Sequence, residues 1–279
     1  MMKKLLSNGI EVPIVGFGTA RLNGDECIQT IQEAICAGYR LFDCAERYEN
    51  ETELGIAVKN SGIDRKEFFI TTKVWCQNNG YENTLRAFDI SLRKLDMDYV
   101  DMYMIHQPIG DYYGSWRAIT ELYDKGLVRA AGICNFGAER LMDLYLNTEI
   151  KPMINQIKCN PYFRQFEIVD IWNNLGVAVE CWAPLGEGNK EMLSNPVITK
   201  IAEGKGKTPA QIILRDSYER GMIIIPKAGN KEHIIENMKI FDFELNEEER
   251  AEINGLDLGV VTYPYQFSLT KYLYEWKLS

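Results

Sequence analysis

Eight apolar runs, each followed by a helical pattern, restrict the fold of this 279-residue chain more than any other feature. In the first half they are VGFGTA (15–20) before a helix near 25–37, RLFDCA (40–45) before 51–59, FFITTKV (68–74) before 81–95 and VDMYMIH (100–106) before 115–125. The second half repeats the pattern with RAAGICNF (129–136) before 138–146, MINQIKC (153–159) before 165–175, AVECWAP (178–184) before a longer helical region at 196–220, and MIIIPK (222–227) before 232–238. Runs such as MIIIP show no polar–apolar alternation, as expected of parallel strands covered on both faces. Gly38, Gly62, Gly126, Gly176 and Gly221 stand just past helical patterns, where a left-handed residue closes a helix. Repeated strand–helix units of this size form a parallel sheet, and eight of them predict a closed (β/α)8 TIM barrel, an α/β fold. An open doubly wound sheet is the structural rival. Ahead of the first unit, KKLLSNGIEVP (3–13) reads as an N-terminal β-hairpin with Asn8-Gly9 in a type I′ turn, capping one end of the barrel. The aromatic-rich C-terminal tail, 259–279, has no clear period. With no internal linker, residues 1–279 read as a single domain.

Charge narrows the partners. A net charge of -9 argues against nucleic acid and against anionic membrane surfaces. No window approaches the apolar length of a membrane span, and the two apolar residues after Lys3 and Lys4 do not make a signal-peptide core, so a cytoplasmic protein is expected. Seven cysteines occur without a C-x-x-C pair, which fits reduced, buried thiols. The two histidines, His106 and His233, are few for a metal-dependent barrel, and no metal is expected.

In barrels of this kind the chemistry gathers at the C-terminal ends of the strands. The polar residues there are Asp43 with Tyr48 just beyond it, then Lys73, His106, Asn135, Gln156 and Lys227. Taken singly, each has a bland reading: an aspartate at a strand end is commonly a turn former, a buried tyrosine is commonly core, and a rim lysine commonly snorkels. Converging on one mouth, they would make a proton donor for an alkoxide growing on a carbonyl. Tyrosine titrates near ~10 and is a poor acid at neutral pH. A neighbouring ammonium from Lys73 favours the phenolate, a carboxylate from Asp43 keeps that lysine charged and fixed, and the imidazole of His106 donates a hydrogen bond or shares the tyrosine proton.

GYRLFDCAERYENE (38–51) resembles the signature of the aldo-keto reductase family, and TTKVW (71–75) and MIHQP (104–108) resemble the segments in which that family carries its lysine and histidine. The similarity extends from GIEVPIVGFGTA (9–20) to IIIPKAGNKEHIIEN (223–237), nearly the whole chain, and is of the bacterial, diketogluconate-reductase-like type. The resemblance implies a (β/α)8 barrel that reduces an aldehyde or ketone with NADPH, with NADH as a second donor. It implies catalytic roles for Asp43, Tyr48, Lys73 and His106, with Tyr48 as general acid. The substrate is then a small-molecule carbonyl compound, and a monomer is expected because the family is often monomeric.

The same resemblance lays out a cofactor cleft. GFGTARLNG (16–24) begins like a dinucleotide fingerprint, but Arg21 replaces the third glycine and no βαβ context follows. Gly18, Thr19 and Ala20 are placed instead beside the nicotinamide ribose, with Asp43 nearby. ICNF (133–136) carries Cys134 where the family has serine, a weaker donor. Asn135 and Gln156 would hold the carboxamide. In CWAPLGEG (181–188), Trp182 stands where a ring stacks on nicotinamide, and Ala183, Leu185 and Glu187 belong to a loop that would wrap the pyrophosphate. In IPKAGNKEHIIEN (225–237), Lys227 and Gly229 keep the pattern, while Ala228 replaces the usual serine and His233 the usual arginine. An arginine grips phosphate with a permanently charged fork and a largely neutral histidine does not, so weakened discrimination against NADH is expected. Glu236 and Asn237 would meet the adenine.

Arg21, Trp75, Gln107 and Tyr112, together with Tyr48 and His106, are the expected substrate residues, with Tyr113, Trp116, Tyr263 and Tyr265 as further wall candidates. Two other functional classes compete: a nicotinamide-binding sensor or regulatory subunit with little turnover, and a metal-dependent barrel hydrolase or isomerase.

Overall fold

The computed structural model describes residues 2–259. Strands β1 (Lys3–Leu5) and β2 (Glu11–Pro13) pair antiparallel ahead of the main sheet. The connecting turn differs from the expected type I′. Gly9 N donates to Leu6 O at 3.0 Å and Leu6 N to Ile10 O at 2.9 Å, and Gly9 has a φ of 82° while Asn8 is not among the positive-φ residues. A type I′ turn needs positive φ at both central residues. Here Ser7 and Asn8 form the turn and Gly9 alone takes the left-handed position, while the Asn8 side chain accepts from Ile10 N at 3.2 Å. The extra loop residue lets Asn8 donate to Arg129 O at 3.0 Å, tying the hairpin to the barrel.

Eight strands follow in chain order, each parallel to the next: β3 (Gly16–Gly18), β4 (Leu41–Asp43), β5 (Phe69–Val74), β6 (Val100–Ile105), β7 (Val128–Cys134), β8 (Ile154–Lys158), β9 (Ala178–Trp182) and β10 (Ile223–Ile225). A parallel bridge between Val15 and Ile224 joins the two ends of the sheet, supported by Ile224 N to Ile14 O at 2.9 Å and Gly18 N to Pro226 O at 3.2 Å. Gly16 allows this closure: a Cβ there would lie 2.5 Å from Leu41 Cγ and 3.0 Å from Ile225 Cγ2. Asp43, Lys73 and Gln156 stay within the ladder, while Thr19, His106, Asn135 and Lys227 lie just past the strand ends, at the mouth.

Helices α1 (Gly24–Cys36), α2 (Glu51–Asn60), α3 (Tyr81–Leu95), α4 (Tyr112–Asp124), α5 (Ala138–Leu146) and α6 (Phe166–Asn174) alternate with the strands. In α1 the buried residues Cys27, Thr30, Ile31, Ala34 and Ile35 form one stripe at helical spacing. Helix α4 starts earlier than expected because Asp111 accepts from Gly114 N at 2.7 Å. The long region after β9 is three helices: α7 (Lys190–Leu193), α8 (Pro196–Lys205) and α9 (Pro209–Glu219). Gly206 ends α8 in the left-handed conformation, and Thr208 with Gln211 forms a capping box ahead of Pro209. Helices α10 (Lys231–Asn237) and α11 (Glu247–Asn254) complete the order.

Aromatic rings extend the core between barrel and helices: Phe17, Phe42 and Phe68 pack in sequence at centroid distances of 6.2 and 6.1 Å. Truncating Phe42, which is wholly buried, would cost about 3–5 kcal/mol. All seven cysteines are free, six of them buried and Cys36 exposed. Among the described residues no helix is long and apolar enough to cross a membrane. The C-terminal tail with Tyr263 and Tyr265 lies outside the described residues.

Candidate active site at the mouth of the barrel

A cavity of about 960 Å³ opens at the C-terminal ends of the strands. Strand β4 delivers Asp43 to its floor, and a short turn over Glu46–Tyr48 folds the tyrosine back above it. Two buried side chains fix that turn. Glu46 accepts from Trp75 N at 2.8 Å and from the Asn78 amide, and Asn50 donates to Thr19 O and Leu22 O, both at 2.8 Å. Strand β5 brings Lys73 up beneath the ring. Its Nζ lies 2.6 and 2.7 Å from the two Asp43 carboxylate oxygens, 2.9 Å from Cys44 O and 5.2 Å from the Tyr48 ring centre. Lys73 is 0% exposed and Asp43 2%, so this ion pair is dry. His106 follows β6, with its ring edge-on to Tyr48 at 5.6 Å and to Trp75 at 5.0 Å. Its Nδ1 is buried without a hydrogen-bond partner among the described residues.

Electrostatics follow from this burial. Burial pulls the Lys73 ammonium down, but Asp43, Tyr48 and Cys134 together outweigh it and hold it above the ordinary lysine value. Burial also pushes the Tyr48 phenol well above its usual range, with Lys73 pulling the other way. The ammonium lowers the phenol, as expected, but burial outweighs it. Burial, then Lys73, then Arg47 push His106 well below the usual imidazole range, so its ring is neutral.

Beneath Asp43, Tyr48, Lys73 and His106 lies a second polar row. In the sheet register Cys134 faces Gln156 and Gln156 faces Glu180, across β7, β8 and β9. The Gln156 amide nitrogen donates to Asp43 Oδ1 at 2.7 Å and also to Glu180 Oε1. Because the ionised Asp43 carboxylate only accepts, its contact fixes which end of the amide faces the acids and leaves Gln156 Oε1 as an acceptor, met by Cys134 Sγ at 3.5 Å. Glu180 was not foreseen, although an acid inside the otherwise apolar run AVECW was a readable signal.

From Tyr48 and His106 the cavity runs along the wall of β7 to β10. Asn135 donates to His106 O at 3.1 Å and accepts from Trp182 Nε1 at 2.9 Å, which sets the half-buried indole against the cleft. Among the described residues, seven non-glycine residues have positive φ, and five of them, Arg21, Glu49, Asn135, Ala183 and Glu187, line this cavity. Backbone strain of this kind concentrates where a site must be held open. Arg21 and Glu187 reach across the opening and pair at 2.6 Å.

Of the residues expected from sequence, the cavity brings together Gly18, Ala20, Arg21, Asp43, Tyr48, Trp75, His106, Gln107, Asn135, Gln156, Trp182, Ala183, Leu185, Glu187, Lys227 and Gly229. Thr19, Lys73, Cys134 and Ala228 are buried just behind it. Thr19 spends its hydroxyl on Asp43 O at 3.0 Å. His233, Glu236 and Asn237 are on α10, outside the lining; Glu236 is bound to Thr208, and Asn230 caps the helix on His233 N at 2.8 Å. Tyr112 stacks on Tyr113 and meets Phe136 edge-on, and Trp116 is buried with its Nε1 on Ile150 O at 3.0 Å, so neither faces the cavity. Unforeseen lining residues include Asn23, Arg47 and Lys158. No cluster of three or more His, Cys, Asp or Glu side chains able to hold a metal ion occurs among the described residues.

Comparison with known proteins agrees with this architecture. A family model described as Aldo/keto reductase family matches residues 14–258. The chain is 44% identical over 254 residues to glyoxal reductase of Bacillus subtilis, covering 90% of this chain and 91% of that protein. It is 40% identical over 269 residues to morphine 6-dehydrogenase of Pseudomonas putida, covering 91% of each. Among solved structures, an aldo-keto reductase enzyme from a Medee basin deep-sea metagenome superimposes with a TM-score of 0.90 at 38% identity, over 92% of this chain and 96% of that one. A Bombyx mori aldo-keto reductase in complex with NADP gives 0.86 at 34% identity over 92% of each chain. The barrel, its mouth and these matches agree, and the chain is an oxidoreductase that belongs to the aldo-keto reductase family.

Proposed function

We propose that this protein reduces an aldehyde or ketone with NADPH, that Tyr48 is the general acid, and that Lys73, Asp43 and His106 assist it. The observation that carries the reading is the dry Lys73–Asp43 pair directly beneath the Tyr48 ring, at the floor of a cavity that Tyr48 and a neutral His106 both line. The cleft fits a dinucleotide on its own features. The indole of Trp182 lies against one end, Gln156 Oε1, met by the weak thiol donor of Cys134, has a second lone pair to offer an amide, the glycine-containing loop after β9 offers backbone donors, and Lys227 stands at the far end. When bound, the cofactor supplies hydride to the carbonyl carbon.

The chain's own residues then handle the oxygen. Tyr48 keeps its proton across the physiological range because burial holds it there, and gives it to the oxygen as negative charge grows. The phenolate left behind faces the Lys73 ammonium, which is already charged and already oriented, so stabilising it needs little rearrangement. Neutral His106 orients the carbonyl by hydrogen bonding. Trp75, Gln107 and Arg21 border the opening and bear on substrate choice. Small dicarbonyl compounds such as glyoxal, on which the Bacillus relative is named to act, head the substrate panel. Lys227 favours the 2′-phosphate of NADPH, while Ala228 and His233 leave room for NADH.

The test is a fluorescence titration with NADPH and NADH, followed by glyoxal and a panel of aldehydes and ketones. Binding with carbonyl-dependent oxidation supports the reading. Binding without turnover on any carbonyl would favour a sensor. Tyr48→Phe should bind NADPH within a few-fold of the parent and lose about 10³-fold in kcat; near-normal turnover would remove Tyr48 from its role.

A further inference from the structure

We propose that Glu180 is a positioning residue of this site: through the Gln156 amide it fixes Asp43 and Lys73, and its own charge sets how reduction falls off at alkaline pH. The proposal rests on the reading of Tyr48 as acid and deepens it.

The geometry is specific. Glu180 is 1% exposed and lies in register with Gln156 on one side and Ile223 on the other. The single NH2 group of Gln156 bridges the Glu180 and Asp43 carboxyls. The titratable and charged groups facing this cluster are Asp43 from β4, Lys73 from β5, Cys134 from β7 and Tyr48 above them. Two carboxylates and one ammonium, all ionised, would leave a net negative charge on side chains that are almost fully buried. Burial first, and then Asp43, push the Glu180 carboxyl up to about 8, against the pull of Lys73 and Gln156. The neutral form is the one that suits the buried pair at neutral pH.

Two consequences follow. With Glu180 neutral, Lys73 is balanced by Asp43 and remains free to stabilise the phenolate of Tyr48. With Glu180 ionised, a second negative charge makes that phenolate less favourable, and Tyr48 becomes a weaker acid without losing its own proton. The amide of Gln156 is no proton relay, so Glu180 acts through position and field.

The experiment is the pH profile of kcat with NADPH and the fastest carbonyl of the panel, for the parent enzyme and for Glu180→Gln, which keeps an acceptor for Gln156 but cannot ionise. The parent should fall about tenfold between pH ~6.5 and ~9.5, centred near 8, and Glu180→Gln should fall less than ~2-fold. Superimposable profiles would overturn the proposal. If that variant does not fold, infrared spectra of the parent decide: a protonated-carboxyl carbonyl band should vanish around pH 8, and no band titrating there overturns it. An inactive Tyr48→Phe with superimposable profiles strikes down this inference alone. An active Tyr48→Phe strikes down the reading beneath it.

Discussion

At the Tyr48 end of the cleft, Lys73 is wholly buried and its ammonium is held by Asp43 and Cys44, whereas at the far end Lys227 and His233 both stand exposed. The near end is built from four strands whose registers lock Asp43, Lys73, Gln156 and Glu180 against one another. The far end is built from the loop after β10 and the first turn of α10, where the His233 ring meets Asn230 of its own turn at 3.1 Å. A group held by sheet register and buried charge has few alternatives, so changing it disturbs fold and chemistry together. A group on a solvated helix start is free to vary, and its replacement should disturb the fold little.

The sharpest way to break this contrast is Lys73→Met. It leaves the Asp43 carboxylate buried with its counter-ion gone, which should destabilise the fold by about 3–5 kcal/mol. It also removes the charge that stabilises the phenolate, for a further loss of about 10²-fold in reduction. Urea denaturation measures the first effect and kcat at pH 7 the second. A variant with parental stability would mean that the near end is not over-determined by register and buried charge.

The same contrast explains what could be read in advance. The order of strands and helices was legible because buried parallel strands are continuously apolar and their helices are not. The convergence of Asp43, Tyr48, Lys73 and His106 was legible because strand ends place polar residues at one mouth. Register was not: nothing in AVECW says that Glu180 will lie opposite Gln156, since pairing between β8 and β9 is a long-range outcome. Local chemistry hid the turn at Gly9, where NG fits two hairpin geometries and the loop length decides. Tyr112 and Trp116 were misplaced because aromatic residues beside a mouth and aromatic residues in a helix–barrel interface look alike in sequence.

Stability against pH sharpens the contrast without touching turnover. Glu180 holds its proton up to about 8 in the folded chain, against an ordinary value of 4.5, so between these values the folded state binds more protons than the unfolded one. Stability must therefore fall as pH rises through this window and level off above it. Glu46 and Glu51, also raised chiefly by burial, add to the same slope. Urea midpoints across the window should show it, and Glu180→Gln should flatten it; an unchanged slope would contradict a proton-holding Glu180.

At the far end the expected effects are on ligand preference. His233→Arg supplies a permanently charged fork and should raise the NADPH-over-NADH ratio in kcat/KM by about tenfold, with little change in melting temperature. Lys227→Ala should lower the same ratio. A large NADPH preference that survives Lys227→Ala would move the recognition of the 2′-phosphate elsewhere.

The smallest effect tests where the two regimes meet. Arg21 and Glu187 reach over the cleft from the loops after β3 and β9, and their side chains are 76% and 45% exposed. An ion pair so solvated adds almost nothing to folding and is screened by salt, so Arg21→Ala should leave the melting temperature unchanged. Yet the two residues have positive φ, 63° and 59°, which marks loops held in place rather than loops at rest. Releasing the pair should let them part and speed NADPH dissociation by about 3-fold, in the range of a single exposed pair. High salt should produce the same acceleration in the parent and none in the variant. Stopped-flow displacement measures both. A dissociation rate indifferent to Arg21 and to salt would make the pair a surface contact, and would leave cofactor retention to the near end and to Lys227.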